Sequence, residues 1–290
     1  MDIDNTTKSE FIRFQRNEIT ESFVYKRLAS IENNEANRAV LLSIAAEESA
    51  HARIFNKYTD VTPLPNKWKI FKYYWLARIF GLTFAIKLME GGEASAHKMY
   101  GEYAEFSDLQ RLAQEEEMHE KRLIGMINEE RLEYMGSVVL GLNDALVEFT
   151  GALAGFTLAL SDSKLIALTG SITGIAAALS MASSEYLSTK SENGNDKHPV
   201  KAAVYTGFAY IVTVVSLVLP FILLSNVFIA LGIMLIVALS IIGIFNYYYS
   251  VARSESFKKR FTEMAVLSFG VATVSFFIGY ALKVFTGVET

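Results

Sequence analysis

Glu48 and His51, and again Glu116 and His119, are a carboxylate and an imidazole three residues apart. On a helix such a pair projects to one side and can offer an oxygen and a nitrogen to a single ion. Each pair lies inside an apolar stripe of +3 and +4 steps. One stripe reads Leu41, Ile44, Glu48, His51, Phe55, Tyr58; the other reads Leu109, Leu112, Glu116, His119, Leu123, Met126. Two further segments carry carboxylates in the same phase: Phe11, Phe14, Glu18, Glu21, Tyr25, Leu28, and Ile79, Leu82, Ile86, Glu90, Glu93, His97, Tyr100. One ionised carboxylate is costly to bury in an apolar core. Several buried together are explained by a large positive charge among them, which a metal pair supplies. The spacing predicts a helical bundle whose core holds two metal ions, with a Glu-x-x-His from each of two helices and further carboxylates from Glu18 and from Glu90 or Glu93. Oxygen ligands with imidazole suit iron or manganese better than copper.

Residues 8–131 resemble the rubrerythrin and ferritin-like di-iron domain. Glu18, Glu48, His51, Glu93, Glu116 and His119 match its ligand pattern, and Glu90 matches the extra carboxylate of rubrerythrin-type sites. The resemblance implies a ferritin-like four-helix bundle with a di-iron site. Glu21 and His97 are expected either to support the ligands from behind or to be polar groups of the core, the first reading being favoured. Rubrerythrins usually carry a cysteine-rich rubredoxin module that feeds electrons to the iron. This chain has no cysteine, which argues against that route and excludes disulfides, iron–sulfur clusters and thiolate zinc sites.

These residues need elements to hold them, and the composition divides the chain in two. Of 290 residues 51% are hydrophobic, with a mean hydropathy of +0.26. Most charged residues lie in residues 1–131. Residues 132–290 are charge-poor and contain five apolar stretches near the ~20 residues a bilayer span needs: Ser137–Leu160, Leu165–Tyr186, Ala202–Leu224, Val227–Tyr249 and Met264–Val284. The expected architecture is all-α, a ferritin-like four-helix bundle over 1–131 followed by a five-span α-helical membrane domain over 132–290. The net charge is −4, and neither part shows the basic patch that nucleic-acid binding needs. The polar, acidic start MDIDNTTKSE is expected to be neither a signal nor a transit peptide.

Loop charges give an orientation. Arg131 precedes the first span, Lys190, Lys197 and Lys201 lie between the second and third, and Arg253, Lys258, Lys259 and Arg260 lie between the fourth and fifth. The opposite loops carry only Lys164. The bundle and both basic loops are therefore expected in the cytosol, with the C-terminus outside. Before the third bundle segment, the linker TDVTPLPNK leads into KWKIFKYYWLARIF, residues 67–80. Trp and Tyr beside Lys and Arg favour a membrane interface, so this stretch is expected to be an interfacial helix. The other reading is an extension of the bundle helix that packs against a partner chain.

Polar residues inside the spans carry the second chemical signal. Asp144 and Glu148 are one turn apart in the first span, and Met181 and Glu185 one turn apart in the second. Ionisable groups at membrane depth are functional candidates. Two carboxylates and a thioether facing each other across two helices can hold a dehydrated divalent transition metal, and either carboxylate can take a proton, which is a basis for antiport. Gly151, Gly155, Gly170 and Gly174 on the same helices permit close helix approach.

The segments GLNDALVEFTGALAGF and SMASSEYLSTKSE resemble the first two spans of the vacuolar iron transporter family. Gly141, Asp144, Ser180, Met181, Ala182, Glu185 and Tyr186 meet its pattern. The resemblance covers roughly residues 134–286 and implies transport of iron or manganese by a homodimer with a central path. Plant members insert a metal-binding helical segment between spans two and three; here that connection is short, and the N-terminal bundle stands as its replacement. The whole arrangement resembles the prokaryotic membrane-bound ferritins. The expected function is export of Fe2+ or Mn2+ from the cytosol by proton antiport, with a bundle that binds and can oxidise iron. The alternatives are a membrane-anchored di-iron oxidoreductase and an iron-sequestering protein.

Overall fold

A computed structural model describes residues 4–89, Gly91, Tyr103, 106–125, 134–191 and 197–286. Every regular element among them is a helix. The chain divides into two compact units, residues 1–129 and 130–290.

In the first unit, α1 spans Asn5–Ala29, α2 Glu35–Thr59, α3 Lys67–Phe80, α4 residues 82–89 and α5 Ser107–Gly125. The helix starts are capped by short polar side chains that satisfy free backbone N–H groups. Asp4 accepts from Thr7, Asn34 from Ala36 and Asn37, and Asn66 from Trp68 and Lys69. Helices α1 and α2 run antiparallel. Phe11 meets Phe55 and Tyr58, Glu18 meets His51, and the Ser22 hydroxyl donates to the Ala45 carbonyl at 2.7 Å, so position rises on one helix as it falls on the other.

The predicted stripes of α1, α2 and α5 face inward, as far as they lie in the described residues; Met126 is outside them. Phe11, Phe14, Phe55, Phe106, Leu109 and Leu112 form one apolar layer. Val24, Tyr25, Leu28, Leu41, Ile44 and Leu123 belong to a second. Along all three helices the residues between these layers are Glu18, Glu48, His51, Glu116 and His119, each 8% exposed or less. The predicted stripe through Ile79, Leu82 and Ile86 is not one helix. Gly81, at φ 99° and ψ 158°, ends α3 in a conformation that side chains resist, and α4 starts afresh. Ile86 is buried, but Ile79 is 60% exposed. Glu90, Glu93 and His97 lie outside the described residues.

The second unit contains five helices long and apolar enough to cross a membrane. They are α6 Met135–Leu160, α7 Ser163–Ser191, α8 Pro199–Leu223, α9 Val227–Arg253 and α10 Phe257–Thr286, with mean hydropathies from 1.3 to 3.0. At ~1.5 Å per residue each exceeds the ~30 Å hydrocarbon thickness. Large apolar side chains such as Ile172, Phe208, Ile236 and Phe277 are more than half exposed, a surface suited to lipid. This is an integral membrane protein. Helix α6 contains a π-helical turn at Ala145–Phe149, immediately after Asp144 and including Glu148. Gly141 packs so closely on α8 that a Cβ would stand 2.3 Å from the Thr206 carbonyl oxygen, and at Gly279 a Cβ would stand 2.2 Å from that of Gly155. Only glycine permits such backbone approach between membrane helices.

Candidate metal centre

Each side chain of the polar layer is placed by the apolar residues one turn above and below it. Ligand atoms of Glu18, Glu48, His51 and Glu116 all lie within 4.8 Å of one another. The inner nitrogen of His51, Nδ1, is 3.3 Å from Glu18 Oε2, 3.7 Å from Glu48 Oε2 and 2.9 Å from Glu116 Oε1. That of His119 is 3.2 Å from Glu48 Oε1 and 3.3 Å from Glu116 Oε2. Glu48 and Glu116 thus each turn one oxygen to His51 and the other to His119. The two rings stack, with centroids 5.4 Å apart.

A four-donor group of Glu18, Glu48, His51 and Glu116 therefore shares Glu48 and Glu116 with a three-donor group completed by His119. The fit is supported by the polar atoms themselves. Glu48 Oε2, His51 Nδ1, Glu116 Oε1 and His119 Nδ1 are buried and make no well-directed hydrogen bond to protein. Buried polar atoms normally find such partners, and a cation between them is the group that would satisfy all four. Glu21 is buried on the same face of α1.

The metal-free cluster balances its charge with protons. Burial disfavours the imidazolium of His119, but Glu116 and Glu48 outweigh it and push the pKa up to about 10. His51 is raised likewise: burial opposes the charge, and Glu116, Glu18 and Glu48 overcome it. Burial also opposes the Glu116 charge, yet the two histidines hold its pKa down at about 2. Glu48 moves the other way, raised by burial and then by the charges of Glu116 and Glu18.

A second ring of residues escaped the sequence reading. His51 Nε2 donates to Glu115 Oε2 at 2.9 Å, and His119 Nε2 donates to Glu47 Oε2 at 2.8 Å. Arg122 Nη1 donates to Glu47 at 2.9 Å, and Arg111 Nε to Glu115 at 2.8 Å. The Arg122 bond holds the Glu47 pKa at about 2. At Glu115 burial raises the pKa, but Arg111 and His51 leave it below the ordinary value. Both carboxylates are thus ionised and can only accept. The outer nitrogen of each ring must carry the proton, which leaves Nδ1 as the atom aimed at a metal. The signal was present: both motifs read Glu-Glu-x-x-His, Glu47-Glu48 and Glu115-Glu116.

In the membrane unit, Asp144 is half-buried and Glu148 exposed on α6, and their carboxyl groups interact directly. Met181 is half-buried against the apolar core. Glu185 is half-buried and accepts from the Ser137 hydroxyl at 2.6 Å. Ser137 precedes Asp144 by seven residues, about 10 Å along the helix. Glu185 of α7 therefore meets α6 at the level of Ser137, away from the Asp144–Glu148 pair, and the three carboxylates are not gathered at one point. Tyr210 on α8 was not foreseen. It is fully buried, interacts electrostatically with both Asp144 and Glu148, and its hydroxyl makes no hydrogen bond among the described residues.

Residues 135–198 match the VIT family. The matched stretch covers α6, α7 and the connection up to α8, and it contains Asp144, Glu148, Met181 and Glu185. The match supports a vacuolar iron transporter-type membrane domain over this stretch. No curated protein and no solved structure matches the chain.

Proposed function

We propose that the chain exports Fe2+ or Mn2+ from the cytosol in exchange for protons, and that its N-terminal unit is a ferritin-like bundle holding a di-iron pair. The observation that carries the transport reading is the VIT match over the stretch bearing Asp144, Glu148, Met181 and Glu185. A divalent ion entering a membrane loses strong hydration, and anionic oxygens replace much of it. The same carboxylates can carry protons when the cargo has left, so cargo and protons compete for one set of groups.

A homodimer completes the path in this reading. Glu148 is exposed on a membrane helix of the single chain. A carboxylate facing hydrocarbon is costly, and a second copy would cover it. The basic loops at Lys190, Lys197 and Lys201, and at Arg253, Lys258, Lys259 and Arg260, favour a cytosolic bundle and an external C-terminus.

In the bundle, Glu18, Glu48, His51 and Glu116 would hold one ion. Glu48, Glu116 and His119 would hold the other, completed by Glu93 with Glu90 as an alternate ligand. An iron pair there would supply redox chemistry towards oxygen or peroxide. The protein's own part is to fix both imidazoles through Glu47 and Glu115 and to keep the site enclosed between two apolar layers. The buried cluster also favours a second reading, a membrane-anchored di-iron ferroxidase or peroxidase or an iron-sequestering protein.

The deciding experiment is uptake of Fe2+ or Mn2+ by the purified chain in sealed vesicles, with and without an imposed pH gradient. Gradient-driven metal movement with counterflow of protons is expected. Iron oxidation or iron retention without movement would replace the transport reading by the second one.

A further inference from the structure

Helix α3 has two different sides. Its inner side packs into the first unit: Ala77 is buried, and Ile70, Tyr73 and Leu76 sit against the cluster of Val24, Leu28 and Leu41. Its start is pinned where the Asn66 N–H donates to the Thr20 hydroxyl at 2.9 Å. The outer side is apolar and open to solvent. Trp68, Phe71 and Trp75 are 70%, 54% and 47% exposed, and they form a continuous ring ladder with centroids 5.7 and 6.2 Å apart. They follow one another by three and four residues and so make one stripe. At ~100° per residue, Lys72 falls on one flank of that stripe and Lys67 and Arg78 on the other, all three exposed. The helix carries no acidic residue.

We propose that this outer face of α3 docks into the headgroup region of an anionic phospholipid bilayer. The proposal does not depend on whether the chain transports metal. Tryptophan favours the boundary between hydrocarbon and headgroup, where its ring is apolar and its N–H stays wet. The flanking cations meet lipid phosphates while their stems lie along the apolar stripe. The main rival occupant is a second copy of the same face. That would bring two sets of three cations together with no carboxylate on either helix, and like charges across an interface are unfavourable. An anionic surface is complementary to this face, and the five apolar helices of the same chain keep a bilayer within reach.

The chain contains two tryptophans, Trp68 and Trp75, so tryptophan emission, excited where the tyrosines do not absorb, reports this face alone. The full chain is reconstituted into bilayers of phosphatidylcholine and phosphatidylglycerol with bromine on the acyl chains at different depths. Strong quenching by shallow bromines and protection from aqueous iodide are expected. Tryptophans that iodide reaches and bromine does not would place α3 in water and overturn the proposal. Tryptophans shielded from both would mean that protein covers the stripe, which overturns it equally. A variant with Lys67, Lys72 and Arg78 changed to Gln keeps the apolar ladder. Its ratio of seated to unseated helix should fall about fivefold per cation removed in the anionic bilayer and stay unchanged in pure phosphatidylcholine. Undiminished seating of that variant in the anionic bilayer would overturn the assignment to an anionic surface.

Discussion

His119 Nε2 lies 2.8 Å from Glu47 Oε2, a carboxylate on the facing helix. The mirror contact joins His51 Nε2 to Glu115 Oε2 at 2.9 Å. Each Glu-Glu-x-x-His helix therefore supplies a metal-facing carboxylate, an imidazole, and the acceptor that orients the imidazole of the other helix. Arg122 and Arg111 fix those acceptors in turn. The crossing ties α2 to α5 at the level of the proposed metal pair.

Glu47→Gln and Glu115→Gln test this crossing. Each substitution keeps the shape and removes the charge that holds the ring proton on Nε2. Metal affinity of the full chain should fall by about 10- to 100-fold for each. Competition against a chelator measures it. His51→Ala with His119→Ala should abolish stoichiometric binding altogether, and two ions retained by that double variant would exclude the site.

Metal binding should expel protons. Without metal, His119 is held at about 10 and His51 is raised too, so near pH 7 both imidazoles carry a proton that a metal must displace. Affinity should rise with pH by about tenfold per unit for each proton displaced. Titration in weakly buffered solution should show the release. For the metal-free cluster, the raised histidines contribute stability in full below 6.5 and lose it as pH climbs through about 10. Glu116 contributes in full above 4.5 and loses it as pH falls through about 2. Glu48, raised as well, contributes in full below 4.5 and loses that above it, so the metal-free first unit should melt highest near pH 4.5 and lower on either side. A melting temperature that rises steadily towards pH 10 would contradict the imidazolium arrangement.

The inner layer was legible in the sequence because burial on a helix repeats. Glu18, Glu48, His51, Glu116 and His119 stand in step with Phe14, Ile44, Phe55, Leu112 and Leu123, and all are buried. Glu47 and Glu115 stand one step off those stripes. Their side chains are 35% and 28% exposed, so by period alone they read as solvated surface; only the helix crossing gives them partners. The break at Gly81 was hidden for a related reason. A single residue at positive φ ends a helix without disturbing the apolar spacing on either side of it. In the membrane unit the five spans followed from hydropathy. The Ser137–Glu185 bond and the place of Tyr210 beside Asp144 and Glu148 did not, because in an apolar helix most faces read alike.

The orientation is open to labelling, and the absence of native cysteine makes any introduced one unique. Ser256 lies in the basic connection between α9 and α10, and Ser225 in the short connection between α8 and α9. Ser225 is the better choice than Asn226, whose side chain caps α9 by accepting from Phe228 and Ile229 and whose loss would cost about 1 kcal/mol. In intact cells Ser225→Cys should react with an impermeant maleimide and Ser256→Cys should not. The opposite pattern would reverse the inferred direction of transport.

Asp144 offers the sharpest separation of the two units. It stands at the entrance to the π-helical turn of α6, in contact with Glu148 and near the buried Tyr210 hydroxyl. A π turn departs from the ordinary hydrogen-bond ladder and often marks a functional position in a helix. Asp144→Asn keeps the volume and removes the anion, so an ion passing there would lose a ligand that water cannot replace in hydrocarbon. Transport of Fe2+ or Mn2+ by reconstituted protein should stop. Metal held by Glu18, Glu48, His51, Glu116 and His119 should be unchanged, because none of those ligands lies in the second unit. Measuring both quantities on one preparation distinguishes a blocked path from a misfolded chain. Normal gradient-driven metal movement by the Asn variant would show that the path avoids Asp144.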